Sequence, residues 1–549
     1  MVGALDLRRR ARRHAAVHVA MAAVLVAVIL PLTLHAASSG PPAIAEFAPQ
    51  ALQQIKNAPN NQALGAQGGL KPTPTPTPTP TPAPGSKAAL AATPTPTPAV
   101  ERGRVRPCVG NPPRQIDDPQ SPPCVPYFQG DNGGATDPKH GVTATTITVA
   151  TYDSDPRITA DLVAFFNQRF ELYGRQLVAQ TGPSPSNTCA GRGSDADTVA
   201  AMPAFASADS DGDGETCYDD ELSRRGVINM TVSPDRTDAQ MAAQAPYAWQ
   251  YSMSLDQEMV NLGRWVCQRL VPGNAVHAGD PVTQGKPRRF GALVETGITS
   301  HTPDTSVLNA ELQRCGAGLA ATETLASSVT PDTHKNALID LQSKGVTSIF
   351  CFCVVFSMQN DPAAAASQGY FPEWIMSTYG ADDINLVIHD YWPTEQNELL
   401  GVSFNPIQVP YADLPLVWAV HAVDPSYAFT NSLDVMARDN LLYHSLLVIC
   451  SGIQMAGPHL TAQSFQAGLW NTTFPNPPSP IMAGKVGFGG SSHAMTLDGA
   501  EMWYSPNAPS PMQDEGTGTW CYVGGGTRQT YDTWPKGGDP FYPPNGACP

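Results

Sequence analysis

Residues 247–297 read YAWQYSMSLDQEMVNLGRWVCQRLVPGNAVHAGDPVTQGKPRRFGALVETG, and this stretch decides how the rest of the chain can be organised. Met259, Leu262 and Val266 recur at steps of three and four residues, a spacing that predicts an amphipathic helix. A polar segment rich in Gly and Pro follows, and then a compact apolar strand at 290–294. Similar strand–helix units lie on both sides. We therefore interpret the stretch as a crossover between two α/β lobes.

From residue 141 onward, predicted strands alternate with predicted helices. The β-branched segment 146–152 precedes a helix that has Leu162 and Phe166 on one face. The apolar run 348–356, SIFCFCVVF, is typical of a parallel strand that is buried on both faces. Such alternation predicts a mostly parallel sheet with helices on both faces. Two series joined by a crossover predict an α/β fold of two doubly wound parallel-sheet lobes with a multi-strand hinge.

The N-terminus has the pattern of an export signal. Basic residues at 8–13 precede an apolar run from about residue 15 to residue 37. The length of this run lies between that of a cleaved signal peptide and that of a spanning helix of about 20 residues. A signal peptide and an uncleaved signal anchor therefore both stay open for residues 1–37. Either one predicts an extracytoplasmic protein, secreted or at the cell surface, that meets a membrane through this segment only.

Residues 38–140 show no sustained periodicity and include the runs KPTPTPTPTPTPAPG and ATPTPTPA. Proline fixes φ and removes a backbone donor, which favours extended polyproline II over packing into a sheet or helix. We expect a disordered Pro/Thr-rich stalk, or a plain linker if the N-terminus is released. A loop-rich segment that contains Cys108 and Cys124 follows it, and we call this segment the preface.

Composition and motifs argue against two classes of function. The net charge of −16 disfavours a nucleic-acid partner. The sequence has no G-x-S-x-G, H-E-x-x-H or P-loop motif, and its twelve histidines lack metal-ligand spacing. We therefore expect a protein that is not an enzyme.

Export makes the eleven cysteines candidates for disulfides. Cys351 and Cys353 fall on one face of a buried strand, where we interpret them as small hydrophobes rather than as a redox or metal pair. At least one thiol should stay free among Cys351, Cys353 and Cys450. Proximity in sequence suggests four pairs: Cys108–Cys124, Cys189–Cys217, Cys267–Cys315 and Cys521–Cys548.

The segment DSDGDGETCYDD at 209–220 matches the first half of a calcium loop, with carboxylates at positions 1, 3 and 5 and glycine at position 6. Asp220 at position 12 is shorter than the usual Glu, and no clear helix enters the loop. A solvated acidic turn is the alternative. The calcium ligands would be Asp209, Asp211, Asp213 and Glu215.

Polar residues at predicted strand ends are the candidate ligand contacts, because ligands of open parallel sheets bind outside the carboxyl ends of the strands. Hydroxyls and free backbone N–H groups there would hold a carboxylate, whereas Glu295 would pair with an ammonium group. Each residue taken alone is also explained as a cap or turn residue. The set is Tyr152, Asp153, Asp209, Ser210, Thr231, Ser233, Glu295, Thr296, Ser377, Tyr379 and Asp383.

Several segments, in their order and spacing, resemble the type I periplasmic binding proteins, in particular the branched-chain amino acid (leucine/isoleucine/valine) group of transporter solute-binding proteins, of actinobacterial type. The resemblance covers about residues 141–510. It rests on GVTATTITVATYDSD (141–155), FFNQRFELYGRQL (165–177), APYAWQYSM (245–253), LQSKGVTSIFCFC (341–353) and QGYFPEWIMSTYGADD (368–383).

The resemblance implies a chain that crosses between the lobes three times, returning near 405–414 and crossing last near 484–490. It also implies solute contacts from strand-end loops of both lobes, here 208–210, 231–233, 295–296 and 377–379. The acidic run 209–213 and the lack of a lipid-anchor cysteine depart from the family. The implied boundaries are lobe one at 141–285 plus 408–485, lobe two at 286–407 plus 486–510, and a disulfide-tied tail at 511–549.

Two functions follow as hypotheses. The first is an exported, monomeric solute-binding protein that clamps a small polar solute, such as an amino acid or amide, and delivers it to a membrane permease. The second is a membrane-anchored sensor or surface module that uses the same fold without transport. No cofactor is expected besides the calcium of the acidic loop.

Overall fold

The computed structural model describes residues 107–537 and Cys548, apart from residues 153, 187, 210–215, 233, 235, 272, 297–301, 327–329, 354–357, 393, 395, 430–438, 480 and 513–515. The predicted export segment and the predicted Pro/Thr-rich stalk lie outside the described residues. So do Asp153, Ser210, Ser233 and most of the predicted calcium loop. Within the described ranges, no helix is long and apolar enough to cross a membrane.

The described elements alternate along most of the chain. The strands are β1 Thr146–Tyr152, β2 Gln176–Thr181, β3 Ala206–Asp209, β4 Ile228–Thr231, β5 Ala248–Gln250, β6 Phe290–Thr296, β7 Leu319–Ala326, β8 Ser348–Phe352, β9 Glu373–Met376, β10 Leu399–Ser403, β11 Gly499–Pro509, β12 Thr517–Tyr522 and β13 Arg528–Gln529. The α-helices are α1 Pro156–Arg169, α2 Cys189–Ala200, α3 Thr216–Arg225, α4 Asp238–Ala243, α5 Leu255–Arg269, α6 Thr305–Gln313, α7 Pro331–Ser343, α8 Asn360–Ala366, α9 Asn385–Tyr391, α10 Pro415–His421, α11 Asn440–Ala456 and α12 Ala462–Asn471.

The first lobe is built on five parallel strands in the order β2-β1-β3-β4-β5. Helix α1 begins where the Asp155 carboxylate accepts hydrogen bonds from the amides of Arg157 and Ile158, with Pro156 at its first position. Its apolar face shares a core with α11, which packs against β3, β4 and α1. This lobe is therefore assembled from two separate parts of the chain.

The second lobe is built on the order β12-β11-β10-β9-β8-β6-β7, with β13 paired to β11. Strands β6 to β10 are parallel, whereas β11 to β13 are antiparallel to their neighbours. Strands β12 and β13 come from the segment that was predicted to be only a tail. The two-lobed α/β fold predicted from the sequence is confirmed.

Helix α5 belongs to the second lobe, although the predicted boundary at 285/286 put it in the first. Its apolar residues Met259, Leu262 and Val266 share one core with side chains of β6 and β8, and α5 packs against α6. The chain therefore changes sheet between Gln250 and Leu255. Helical periodicity predicts an apolar face, but it does not say which sheet will cover that face.

Three segments cross between the sheets, side by side. The amide of Gln250 donates to His493 O at 2.9 Å, and the amide of Met495 donates to Gln250 O at 2.9 Å. The Arg528 guanidinium connects the second and third crossings. It donates to the carbonyls of Phe404, Asn405 and Asp498 at 3.0, 2.7 and 2.9 Å. The return crossing lies between Phe404 in the second-lobe core and Leu414 in the first-lobe core. The last one follows Met495 rather than residue 490, because Met495 still lies in the first-lobe core.

All four predicted disulfides are present, and Cys450 is a free, buried thiol. Cys351 and Cys353 form a fifth disulfide, which corrects their interpretation as reduced hydrophobic side chains. The preface is stapled by Cys108–Cys124 and packs on the first lobe, where Tyr443 donates to Asp118 at 2.8 Å.

Candidate functional site

A group of buried acids occupies the carboxyl-end edge of the second sheet. Glu295 near the end of β6 and Glu258 in the first turn of α5 are fully buried. Tyr379, just after β9, joins them: its amide donates to Glu258 Oε1 at 3.2 Å, and its hydroxyl donates to Glu295 O at 3.3 Å. Ser377 also hydrogen-bonds to Glu258. The structure thus brings the predicted residues Glu295, Ser377 and Tyr379 together.

Gly380 allows the loop after β9 to approach β8. Its φ is +70°, and a Cβ atom at this position would lie 2.0 Å from the carbonyl oxygen of Cys353. Only glycine meets both conditions without strain. The close approach places Tyr379 and Asp382 beside the end of β8.

Two further helices add ionisable side chains in their first turns. His334 of α7 and Asp361 of α8 are fully buried. His334 Nδ1 lies 2.7 Å from Asp361 Oδ1 and 3.5 Å from Glu295 Oε1. The carboxyl end of β6 and the first turns of α7 and α8 therefore lie next to one another.

The electrostatics of this edge are strongly unfavourable to negative charge. Burial raises the pKa of Glu258 to about 7, although hydrogen bonds from Ser377 and the Tyr379 amide oppose the rise. Burial also holds the pKa of Asp361 well above its usual value. The pKa of Asp382 is raised well above its usual value by burial first and then by the charges of the other acids. We call this set the acidic cluster: Glu258, Glu295, Asp361, Asp382 and Asp383.

Asp383 connects the acidic cluster to a cavity at the hinge. Its carboxylate accepts hydrogen bonds from the hydroxyls of Thr378 and Ser403 at 2.8 and 2.6 Å, and from the Asn405 side chain at 3.2 Å. The cavity is lined by both lobes, with Val232 and Tyr251 from the first and Asp383 and Ile384 from the second.

His444 of α11 also lines the hinge cavity and stacks on Tyr251 with ring centroids 4.2 Å apart. Burial lowers the pKa of His444 to about 3, so the imidazole is neutral. The rest of the lining combines apolar side chains with five polar ones, namely Asp118, Gln120, Asn405, Gln408 and Asn440. The cavity therefore suits a ligand that has both apolar and polar parts.

The first-lobe candidates do not join the acidic cluster. The Tyr152 hydroxyl donates to Asp195 at 2.8 Å, accepts from Arg192 at 3.1 Å, and its ring stacks on Tyr218. Thr231 accepts a hydrogen bond from Arg236 at 3.1 Å inside the same lobe. Asp209 ends β3 of the first lobe. Thr296, a candidate of the second lobe, ends β6 and is partly exposed.

Sequence reasoning missed Glu258, His334, Asp361 and Asp382. Glu258 stands in the first turn of a helix, but the strand before that helix belongs to the first sheet. His334 and Asp361 share a signal, since each stands in the first turn of a helix that follows a strand of the second sheet. In a parallel sheet these first turns lie at the same edge as the strand ends. The fourth, Asp382, stands beside the predicted Asp383.

Comparisons with known proteins match this architecture at low identity. No protein-family model matches the sequence, and no curated protein matches it. Among solved structures, the chain is similar to a periplasmic binding protein type 1 from Bordetella pertussis Tohama I (TM-score 0.46, 13% identity, 65% of this chain and 96% of that one). It is also similar to the branched-chain amino acid transporter substrate-binding protein LivJ from Streptococcus pneumoniae in complex with isoleucine (0.46, 11%, 69% and 100%). A third is an ABC transporter solute-binding protein from R. palustris in complex with 4-hydroxybenzoate (0.46, 11%, 68% and 95%).

Proposed function

We propose that the chain is an exported solute-binding protein that closes its two lobes on a small polar solute and delivers it to a membrane permease. The observation that carries the proposal is the hinge: three adjacent crossings join two sheets, and ionisable groups gather at a strand-end edge. Hinged lobes of this kind close by rotating about a few crossing residues.

The acidic cluster favours a solute that carries an ammonium group, such as an amino acid or an amine. Asp382 is fully buried, and both of its carboxylate oxygens lack a hydrogen-bond partner in the described structure. Like charges at close range make this edge costly unless a cation enters it. Glu258 and Asp382 are the acids we assign to the solute ammonium group, with the Ser377 hydroxyl beside them.

A solute screen on the full-length chain tests the proposal. Thermal midpoints are measured with amino acids, amides, amines, sugars and aromatic acids, because a ligand that binds only the folded state raises the midpoint. We expect ammonium-bearing solutes to raise it and to reduce the radius of gyration in small-angle scattering.

Asp382→Asn should weaken that binding by about tenfold or more, since a charged hydrogen bond is lost. Asp390→Asn is the control, because Asp390 is an exposed acid of the same lobe. A chain that binds no solute and does not close would contradict transport. It would favour the anchored sensor if the protein also stays in the membrane fraction.

Calcium binding at Asp209, Asp211, Asp213 and Glu215 stays a prediction. Replacing Asp211 and Asp213 by Ala should abolish any calcium-dependent rise of the thermal midpoint, because two of the carboxylate ligands are removed. If the rise survives in this double variant, residues 209–215 form only a turn. Monomeric state, the permease and the N-terminal membrane contact are likewise predictions.

A further inference from the structure

Three ligand-type side chains converge from three different elements of the second lobe. Glu295 comes from β6, His334 from α7 and Asp361 from α8, and all three are fully buried. One donor atom from each lies within 4.8 Å of the other two. Donor atoms around a single zinc ion are about 3 to 3.5 Å apart. The contacts of His334 Nδ1 to Asp361 Oδ1 (2.7 Å) and to Glu295 Oε1 (3.5 Å) are close to this spacing.

The hydrogen bonding of the site is incomplete without a further group. Asp361 Oδ2 and His334 Nε2 are buried, and neither has a hydrogen-bond partner in the described part of the chain. Buried polar atoms are nearly always satisfied, and buried charges are paired or coordinate a metal. Among the described residues, Asp361 makes no ion pair with an arginine or lysine, and its ion-pair partner is His334.

A divalent cation bound between these side chains would give the Asp361 carboxylate a partner and would offset its buried charge. Two carboxylates and a 2+ ion sum to zero charge, which removes the cost of burying two like charges side by side. A neutral imidazole completes the set, and mixed nitrogen and oxygen ligands suit zinc and its first-row neighbours better than calcium or magnesium.

The neighbouring disulfide determines which side chains of this site can bind a metal ion. The sulfurs of Cys351 and Cys353 also lie within 4.8 Å of an Asp361 carboxylate oxygen. They are bonded to each other, and the metal-binding form of cysteine is the thiolate. The ligands in the oxidised chain are therefore one nitrogen and two carboxylates.

We propose that Glu295, His334 and Asp361 form a binding site for one divalent transition-metal ion of the zinc type within the second lobe. The site does not depend on the transport function. It assigns Glu295 to the metal and leaves Glu258 and Asp382 for a solute.

Metal titration of the full-length chain with its disulfides intact tests the site. The chain is stripped with chelator and dialysed against Zn²⁺, and the bound metal is then counted by mass spectrometry. We expect about one tightly bound zinc per chain. His334→Ala and Asp361→Asn should each weaken zinc binding by more than about 100-fold, beyond the loss caused by outer-shell changes. Co²⁺ in place of zinc should give visible absorption bands that both variants lose.

His140→Ala is the matched control, because the half-buried His140 makes a similar contact with Asp137, at 2.9 Å, outside the second lobe. It should leave the tight zinc ion and the cobalt bands unchanged. Asp361→Asn keeps the side-chain shape and removes a buried charge, so the metal-free variant should unfold at a temperature no lower than that of the metal-free parent. If it unfolds earlier, Glu295→Gln replaces it in the titration.

Three results would overturn the site. One is a folded parent chain that holds no zinc. Another is zinc binding that survives in both His334→Ala and Asp361→Asn. The third is a site that takes Ca²⁺ or Mg²⁺ in preference to Zn²⁺ and still does so in His334→Ala.

Discussion

Each lobe contains one buried group of charged side chains, and the two groups are built in opposite ways. In the first lobe, the fully buried Arg236 guanidinium donates to Asp219 at 3.0 Å, to Asn229 at 2.9 Å and to Thr231 at 3.1 Å. In the second lobe, the acidic cluster gathers five buried carboxyl groups, and His334 is the base in contact with Glu295 and Asp361. The first group is built around an arginine, whereas in the second group both carboxylate oxygens of Asp382 lack a hydrogen-bond partner in the described structure.

This difference explains which strand-end residues are available to bind. Tyr152 and Thr231 already serve the internal networks of the first lobe. Glu258 and Asp382 belong to the acidic cluster, where burial raises the pKa of both carboxyl groups. On the proposed function, the second lobe therefore supplies the acids that recognise the ammonium group of the solute.

The largest effect on stability should come from replacing Arg236 of the first lobe. Arg236→Met leaves the Asp219 carboxylate buried without its partner, so we expect a loss of about 3 to 5 kcal/mol in the free energy of unfolding, measured in urea. Arg225→Ala is the control, because Arg225 makes exposed ion pairs with Glu221 and Asp197. It should change stability very little. Similar losses in the two variants would mean that the first lobe does not depend on internal pairing.

The buried acids of the second lobe should make the stability of the chain depend on pH. The folded-state pKa of Glu258, about 7, lies above the unfolded value near 4.5, so the folded chain keeps a proton that the unfolded chain releases. Stability should therefore fall as pH rises from about 5 to about 7, by about 3 kcal/mol from this one group.

Glu258→Gln should flatten that decline when unfolding is followed across the same pH range in the presence of chelator. Asp390→Asn, a change to an exposed acid, should leave the slope as it is. An unchanged slope in Glu258→Gln would mean that Glu258 does not titrate in this window, and the contrast between the lobes would then rest on the other acids.

Local patterns predicted those features of the fold that depend on neighbouring residues. The β-branched run at Thr146–Tyr152 and the periodic apolar residues of α5 form the expected strand and helix. The lobe that covers α5 was predicted wrongly, because one apolar stripe fits either sheet. The Cys351–Cys353 bond was also missed: alternation places the two side chains on one face but does not decide between free thiols and a disulfide.

The candidate site was predictable only in part, for a related reason. Glu295, Ser377 and Tyr379 stand out at strand ends, and the structure brings them together. His334 and Asp361 are 27 residues apart in sequence, and each alone resembles an ordinary residue of a helix's first turn. Their contact exists only because α7 and α8 begin at the same edge of one sheet.

The smallest effect we expect concerns the caps of two helices. It distinguishes a loss of stability of the chain from a displacement of Glu258. Ser254 caps α5 by accepting the Gln257 amide, and Thr237 caps α4 by accepting the Gln240 amide. Ser254→Ala and Thr237→Ala should each cost about 1 kcal/mol in the free energy of unfolding. Only Ser254→Ala should also weaken solute binding, because Glu258 stands in the first turn of α5 and depends on that turn for its place beside Tyr379. Isothermal titration with a solute from the screen measures this difference. Equal affinities in the two cap variants would show that the position of Glu258 does not depend on its helix cap, and would weaken its assignment to the solute.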